Sequence, residues 1–200
     1  MKETHSVQIE EAYRDFSTPI EVVKIVSRLL NGIPSKYLNG LQSIICTNVS
    51  GLNRKRRRQK TIARKRKVDV YTSSGLYHQY WKGQPAYIEL FIDNIFYPKK
   101  SDDIKIPTLV KVILRLLSKR SFFRDFRLSK TLYHEIGHHI HKTQAPEFAE
   151  REEVADEWCE KLQMHYFYRK YWYIFPFTWT FLWLDRYVHK FTRRMMQTKV

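Results

Sequence analysis

The sequence predicts an α+β fold in which a small, mostly antiparallel sheet of about three strands packs against two long helices. The chain has 200 residues, and its 43% hydrophobic content is enough to bury one core. Between residues 41 and 91, β-branched and aromatic residues occur in three short runs that are typical of strands. After residue 107, apolar residues recur three and four positions apart, as in amphipathic helices.

The first predicted element is a helix over residues 19–30. Thr18 is placed as its N-cap, a proline occupies the first helical position, and Glu21 can reach back to the cap. Apolar residues follow at helical spacing, and Asn31 with Gly32 predicts the end of the helix.

The three strands are predicted over residues 41–49, 68–80 and 86–91. A strongly basic stretch separates the first two strands, so it is interpreted as a long hairpin loop over residues 53–67. A glycine and a proline introduce the third strand.

Three helices are expected in the second half of the chain. Residues 107–117 carry apolar side chains at i, i+3, i+4, i+7 and i+8. After a basic connector rich in phenylalanine, a second helix is predicted over residues 129–142 and a third over residues 146–168. These elements indicate one domain over residues 1–165 and an aromatic, basic C-terminal segment over residues 166–200.

Residues 134–138 read His-Glu-Ile-Gly-His on the second of these helices. Residues four apart lie on one helix face, about 6 Å apart along the axis, so His134 and His138 can bind one metal ion. Glu135 then lies near the open coordination position, where it can accept a proton from a water molecule that the ion has made more acidic. The pattern predicts a catalytic metal site.

Helix geometry suggests a third ligand. If the chain reverses in the turn after the motif, His138 lies level with Glu152 or Glu153, and His134 lies level with Asp156. Glu152 is favoured because its helical neighbours are apolar, whereas Glu153 shares its side with other glutamates on a solvated face. Asp156 is placed to accept the second ring N–H of a liganding histidine and so to determine its tautomer.

The His-Glu-Ile-Gly-His motif, followed by Glu-Glu-Val-Ala-Asp at residues 152–156, resembles the H-E-x-x-H plus E-x-x-A-D pattern of gluzincin metallopeptidases. The likeness is greatest to the small single-domain members and to relatives of the ImmA/IrrE group. It covers about residues 19–162, and the order of the predicted elements is also similar to theirs. The resemblance therefore implies a zincin-like fold.

The same resemblance implies one Zn²⁺ ion per chain, bound by His134, His138 and Glu152. Glu135 would be the general base, and Asp156 would not bind the ion but would hydrogen-bond to one of its ligands. The strand at residues 87–92 would form the rim of the cleft and align an extended peptide through main-chain hydrogen bonds.

A basic run spans residues 54–67, where ten of the 14 residues are basic and none is acidic, in a chain of net charge +16. Such runs attract phosphates by releasing counterions, but this one has no aromatic residue for base stacking. It predicts weak, nonspecific binding to nucleic acid or to an anionic surface, with a solvated loop as the alternative. The residues concerned are Arg54, Lys55, Arg56, Arg57, Arg58, Arg64, Lys65, Arg66 and Lys67.

The C-terminal segment is rich in aromatic residues, which make up twelve of the 22 residues at 166–187. Its uncharged part, residues 171–184, is shorter than the roughly 20 residues that span a bilayer. Peripheral membrane contact, packing within the chain and self-association all fit this composition. The two distant cysteines, Cys46 and Cys159, and the lack of a signal-peptide pattern favour a cytoplasmic protein, alone or peripheral at a membrane.

Two functions of different classes fit the sequence. The first is a zinc-dependent metallopeptidase that hydrolyses peptide bonds in a peptide or protein substrate. The second is a nucleic-acid or membrane-surface binding protein whose metal site is structural or vestigial. The H-E-x-x-H pattern favours the first function, and the basic run favours the second.

Overall fold

The computed structural model of the chain describes residues 7–18, 20–57, 60–63, 66–97, 121–144 and 151–172. Internal contacts divide the chain into two compact units, Met1–Gln163 and Met164–Val200. The first unit contains the sheets and the His-Glu-Ile-Gly-His motif, and the second is described only as far as residue 172. The helix predicted at 107–117 and most of the aromatic segment lie outside the described residues.

The described part of the chain contains two sheets. Its strands are β1 Gln8–Ala12, β2 Leu41–Thr47, β3 Lys60–Ala63, β4 Arg66–Asp69, β5 Gly75–His78 and β6 Ala86–Phe91. Four of them form a mixed sheet in the order β1-β2-β6-β5. β1, β2 and β6 are parallel, and β5 is antiparallel to β6. β3 and β4 form a separate antiparallel ribbon.

The four-stranded sheet confirms the α+β class but differs from the prediction in strand number and direction. β1 is not apparent from the sequence, because it is a mostly exposed edge strand with glutamates at two of its five positions. The prediction of a mostly antiparallel sheet is wrong, since two of the three strand pairs are parallel. Parallel pairing depends on crossover connections, and short sequence patterns do not show these.

The strand predicted over residues 68–80 is in fact two strands, β4 and β5, separated by a turn. The carbonyl of Val70 accepts the Ser73 N–H at 3.3 Å. The side-chain amide of Asn94 donates to the carbonyls of Tyr71 and Ser73 at 2.9 and 2.8 Å. These bonds bend the chain between β4 and β5. The basic run is not a plain hairpin loop, because it contains a short helix at Arg54–Arg57, the strand β3 and the start of β4.

The described residues form five α-helices: α1 Val22–Leu30, α2 Arg54–Arg57, α3 Ile92–Phe96, α4 Ser121–Gln144 and α5 Glu152–Tyr171. α1 begins at Val22 and not at residue 19, and its N-cap is Glu21. The prediction of Thr18 as the cap is wrong, because its hydroxyl accepts the N–H of Ile20 at 3.3 Å and closes a turn before the helix.

α4 begins at Ser121, eight positions before the predicted start at residue 129, and includes the residues interpreted as a connector. Phe122 and Phe126 lie one helical turn apart and stack with their ring centroids 6.3 Å apart. Their packing extends the helix toward its N-terminus. None of the described helices has the length and apolar composition needed to cross a bilayer.

α4 packs with its apolar side against the core, where Leu128, Leu132, Ile136 and Ile140 are fully buried. It contacts α1, α3 and β5. Tyr133 is the residue immediately before the motif, and its hydroxyl donates to the carbonyl of Leu29 in α1 at 3.1 Å. The helix that carries the motif is therefore fixed in the core at the level of the motif.

Asp93, in the first turn of α3, organises the chain that follows β2. Its Oδ1 accepts the N–H groups of Val49 and Asn94 at 2.9 and 3.1 Å, and its Oδ2 accepts that of Ser50 at 3.0 Å. The carboxylate is buried, so these three N–H groups bind the Asp93 side chain in place of water.

Asp93→Ala is expected to lower the free energy of unfolding by about 2 to 4 kcal/mol, because it leaves buried backbone N–H groups without an acceptor. Denaturant unfolding measures the change. Glu153→Ala, which removes an exposed carboxylate, is the control and should change stability by less than about 0.5 kcal/mol. Equal stability of the two variants would contradict this role for Asp93.

Candidate metal centre

The two histidines of the motif converge on one point beside α4. His134 and His138 are one turn apart, and their Nε2 atoms are 3.1 Å from each other. The side chain of His138 is 8% exposed and that of His134 is 24% exposed. The pair therefore lies at the edge of the core, where one side of the site is open to solvent.

Glu152 contributes a carboxylate from the first turn of α5. Its Oε2 is 3.3 Å from Nε2 of His134 and 3.8 Å from Nε2 of His138. The three donor atoms lie within 4.8 Å of one another. His134, His138 and Glu152 together could hold a metal ion.

The donor set suits a tetrahedral ion. At zinc–nitrogen and zinc–oxygen distances near 2.1 Å, two ligands of one tetrahedral ion are about 3.3 to 3.5 Å apart. The separations of 3.1, 3.3 and 3.8 Å are close to this value. The described residues thus supply three donor atoms, two imidazoles and one carboxylate, of a tetrahedral set.

Asp156 supports His134 from the other side of the ring. Its Oδ1 is 2.9 Å from Nδ1 of His134, so this nitrogen carries the proton and Nε2 faces Glu152 and His138. Burial alone would lower the pKa of His134, but the hydrogen bonds to Asp156 and Glu152 raise it to about 10. The surrounding acids thus favour a positive charge at this point.

The Glu152 carboxylate responds to the same pairing. Its hydrogen bond to His134 lowers its pKa, against the opposing effect of partial burial. Glu152 therefore stays ionised, as a carboxylate ligand must be. The apolar helical neighbours that favoured Glu152 in the sequence do not bury it, because its side chain is 51% exposed.

The Glu135 side chain lies against β5. Burial raises its pKa, although the nearby His134 and His138 act in the opposite direction, and its carboxylate accepts the backbone N–H of Tyr77. Gly75 allows this approach, since a Cβ there would lie 2.7 Å from Thr131 and 3.0 Å from the Glu135 side chain. The base candidate is therefore enclosed between α4 and the edge strand.

Gly137, inside the motif, brings α4 and α5 into contact. A Cβ at this position would lie 2.6 Å from the carbonyl oxygen of Ala155 and 2.8 Å from its Cα. These are backbone atoms, which cannot rotate away as a flexible side chain can. The absence of a side chain at Gly137 thus permits the distance between helices at which Glu152 and the histidines meet.

The neighbouring histidines are not part of the cluster. His139 is buried and donates from Nε2 to the carbonyl of Asn39 at 3.0 Å, while its Nδ1 accepts the Tyr77 hydroxyl at 3.2 Å. Burial lowers the pKa of His139, which keeps the ring neutral. Sequence reasoning did not identify Tyr77, because no sequence pattern shows which strand lies beside the motif.

The family resemblance implies that the strand at residues 87–92 forms the rim of the cleft, and this expectation is wrong. β6, which covers most of residues 87–92, pairs with β2 on one side and β5 on the other, so it has no open edge. Among the described strands, β5 is the edge strand beside α4. It supplies Gly75 and Tyr77 to the surroundings of Glu135.

The described part of the basic run lies in a short helix and in the β3–β4 ribbon. Arg54, Lys55, Arg56 and Arg57 form α2, while Arg66 and Lys67 belong to β4. The Arg56 guanidinium pairs with Glu89 on β6, whose pKa is lowered, against burial, by His78 and Arg56. Arg58, Arg64 and Lys65 lie outside the described residues.

Comparisons with protein families, curated proteins and solved structures find no match to this chain. The interpretation of the site therefore depends on its own geometry. That geometry consists of three convergent donor atoms, a second carboxylate behind one of them, and an enclosed glutamate beside them.

Gly137→Ala is expected to destabilise the protein by about 1 to 3 kcal/mol, because the added methyl group must push α5 away. In an exposed helix the same substitution would stabilise by about 1 kcal/mol, so the sign of the effect is diagnostic. Chemical unfolding of the metal-free protein measures it. A stabilising effect would contradict the close approach of the two helices.

Proposed function

We propose that the chain is a zinc-dependent metallopeptidase that hydrolyses peptide bonds. The observation that carries the proposal is the convergence of His134, His138 and Glu152, with Glu135 beside them on the motif helix. Zinc is proposed because imidazole and carboxylate donors with an open fourth position are typical of hydrolytic zinc sites. When bound, the ion would act as a Lewis acid that polarises the substrate carbonyl.

Glu135 is proposed to accept the proton of the attacking water and to deliver it to the leaving amine. Its raised pKa supports this, since a base is most effective when its pKa approaches the working pH. The Tyr77 N–H holds the carboxylate in place from the strand side. Asp156 is proposed as a positioning residue, which keeps Nε2 of His134 directed at the ion.

The edge of β5 is proposed to align the substrate. An extended peptide that adds to a sheet edge is held by main-chain hydrogen bonds, and its side chains then alternate between the two faces. β5 fits this role because it lies beside Glu135, which receives the Tyr77 N–H. We also propose a reducing, cytoplasmic location, which the absence of a disulfide between Cys46 and Cys159 supports.

Purified wild-type protein is expected to contain about one zinc per chain. His138→Ala and Glu152→Ala should each lose the metal, because two ligands bind much more weakly than three. Elemental analysis after gel filtration measures the metal content. Glu153→Ala, which removes the adjacent glutamate from the same helix turn, is the matched control and should retain zinc.

Circular dichroism of each variant verifies that loss of metal does not follow from loss of the fold. Folded wild-type protein without zinc, after incubation with zinc and removal of excess, would contradict the proposal. Zinc retained by both ligand variants would also contradict it.

Glu135→Gln should retain zinc but reduce peptide cleavage by at least about 100-fold, because the amide cannot accept the proton. Mass spectrometry of a peptide mixture incubated with each protein measures cleavage. The shape of the side chain is nearly unchanged, so the metal content of this variant is its own control. Undiminished cleavage by Glu135→Gln would rule out this mechanism.

A further inference from the structure

A cavity of about 490 Å³ lies at the end of β5. Its lining includes Tyr77, His78 and Tyr87, with Trp81 and Gln84 from the turn between β5 and β6, and Lys142 from α4. We refer to it as the Lys142 cavity. Tyr77 is shared with the proposed active site, because its backbone N–H binds Glu135.

The aromatic walls of the Lys142 cavity are held in place by contacts of their own. The His78 ring stacks on Tyr87 with centroids 4.3 Å apart and planes 11° apart, and its Nε2 is 2.9 Å from Oε2 of Glu89. On the opposite side, the Tyr77 hydroxyl binds His139. A ligand would therefore meet preformed walls and need not order them.

Two residues of the cavity lining, Trp81 and Gln84, belong to a tight turn. They exchange two backbone hydrogen bonds of 3.0 and 2.9 Å, and the residues between them, Lys82 and Gly83, both have positive φ. This is the geometry of a two-residue hairpin turn that matches the twist of its strands. The backbone position of Trp81 is thus fixed by this turn.

Lys142 gives the cavity its charge. Among the described residues, no acidic side chain lines the cavity, and no salt bridge involves Lys142. His78, the other ionisable nitrogen base in the lining, is already paired with Glu89. The cavity therefore presents one ammonium group that no protein carboxylate neutralises within the described residues.

The distance from the metal centre sets which substrate residue could enter. Lys142 is four residues after His138 and seven after Glu135, or about 6 and 10 Å along the helix axis. An extended peptide advances about 3.3 Å per residue, so two or three residues cover this distance.

We propose that the Lys142 cavity is a specificity subsite for a glutamate or aspartate side chain, two or three residues from the scissile bond. Lys142 would bind the carboxylate, and the aromatic walls would pack against the aliphatic part of the side chain. This inference rests on the proposed peptidase function, since it assigns the cavity to the same substrate. It names the substrate class that the metal centre alone leaves open.

The test compares two fluorescein-labelled nonapeptides of alanine, serine and glycine, one with a single central glutamate and one with glutamine in its place. Binding is measured by fluorescence anisotropy with zinc-loaded Glu135→Gln protein, which should bind without cleaving. Salt at 150 mM reduces the long-range attraction between this basic chain and any acidic peptide. Lys142→Gln and Lys24→Gln are compared in the same background.

The glutamate peptide should bind about fivefold more tightly than the glutamine peptide, as expected for one partly exposed ion pair. Lys142→Gln should abolish this preference. Lys24→Gln is the matched control, because it removes the same charge from an exposed lysine of α1, outside the cavity. It should keep the preference. Lys142→Glu should reverse it in favour of a lysine peptide.

A preference for glutamate that survives in Lys142→Gln, or equal binding of both peptides by the wild-type cavity, would overturn the subsite. Tighter binding of a central-leucine peptide would show an apolar pocket and would also overturn it. Cleavage of the same peptides by protein with Glu135 intact is scored separately by mass spectrometry. Lys142-dependent binding without cleavage would contradict the peptidase proposal, whereas cleavage without a glutamate preference would contradict only the subsite.

Discussion

The candidate metal centre depends on the distance between α4 and α5, and that distance is set by backbone contact at Gly137 and Ala155. The side chains of the candidate site lie on either side of this contact, along both helices. His134 and His138 lie three residues before and one after Gly137, while Glu152 and Asp156 lie in the same relation to Ala155. The antiparallel arrangement then pairs His134 with Asp156 and brings Glu152 to both rings. Any side chain at residue 137 would push the helices apart and so separate the histidines from both Glu152 and Asp156.

The electrostatics of the cluster point to a cation as its natural occupant. Glu135, Glu152 and Asp156 lie near the two imidazoles, and hydrogen bonds to Asp156 and Glu152 raise the pKa of His134 against the effect of burial, which favours a positive charge there. A divalent ion would take over this role and bind both Nε2 atoms at once. Packing alone does not require that two carboxylates, those of Glu152 and Asp156, contact the ring of His134. The arrangement therefore favours a metal site over a histidine pair that only packs.

The local parts of the site could be predicted from sequence, whereas its surroundings could not. The pairing of His134 with Asp156 follows from helix periodicity and a tight reversal, and these are properties of nearby residues. The position of Tyr77 depends on β5 being the edge strand, which is a long-range property of the sheet order. β1 and the parallel pairs were missed for the same reason, because parallel partners are distant in sequence and lack a turn pattern.

The sheet order also explains why β5 contacts Glu135 and at the same time contributes residues to the lining of the Lys142 cavity. Among the described strands, β6 is paired on both sides, and β5 is the edge strand that contacts α4. Side chains alternate along β5, which directs Tyr77 toward His139 on α4 and His78 toward Glu89 on β6. The strand is thus held on both faces while its edge stays beside Glu135. If the proposed peptide substrate adds to this edge, its register is fixed, so that the residue at the candidate metal centre determines which residue reaches Lys142.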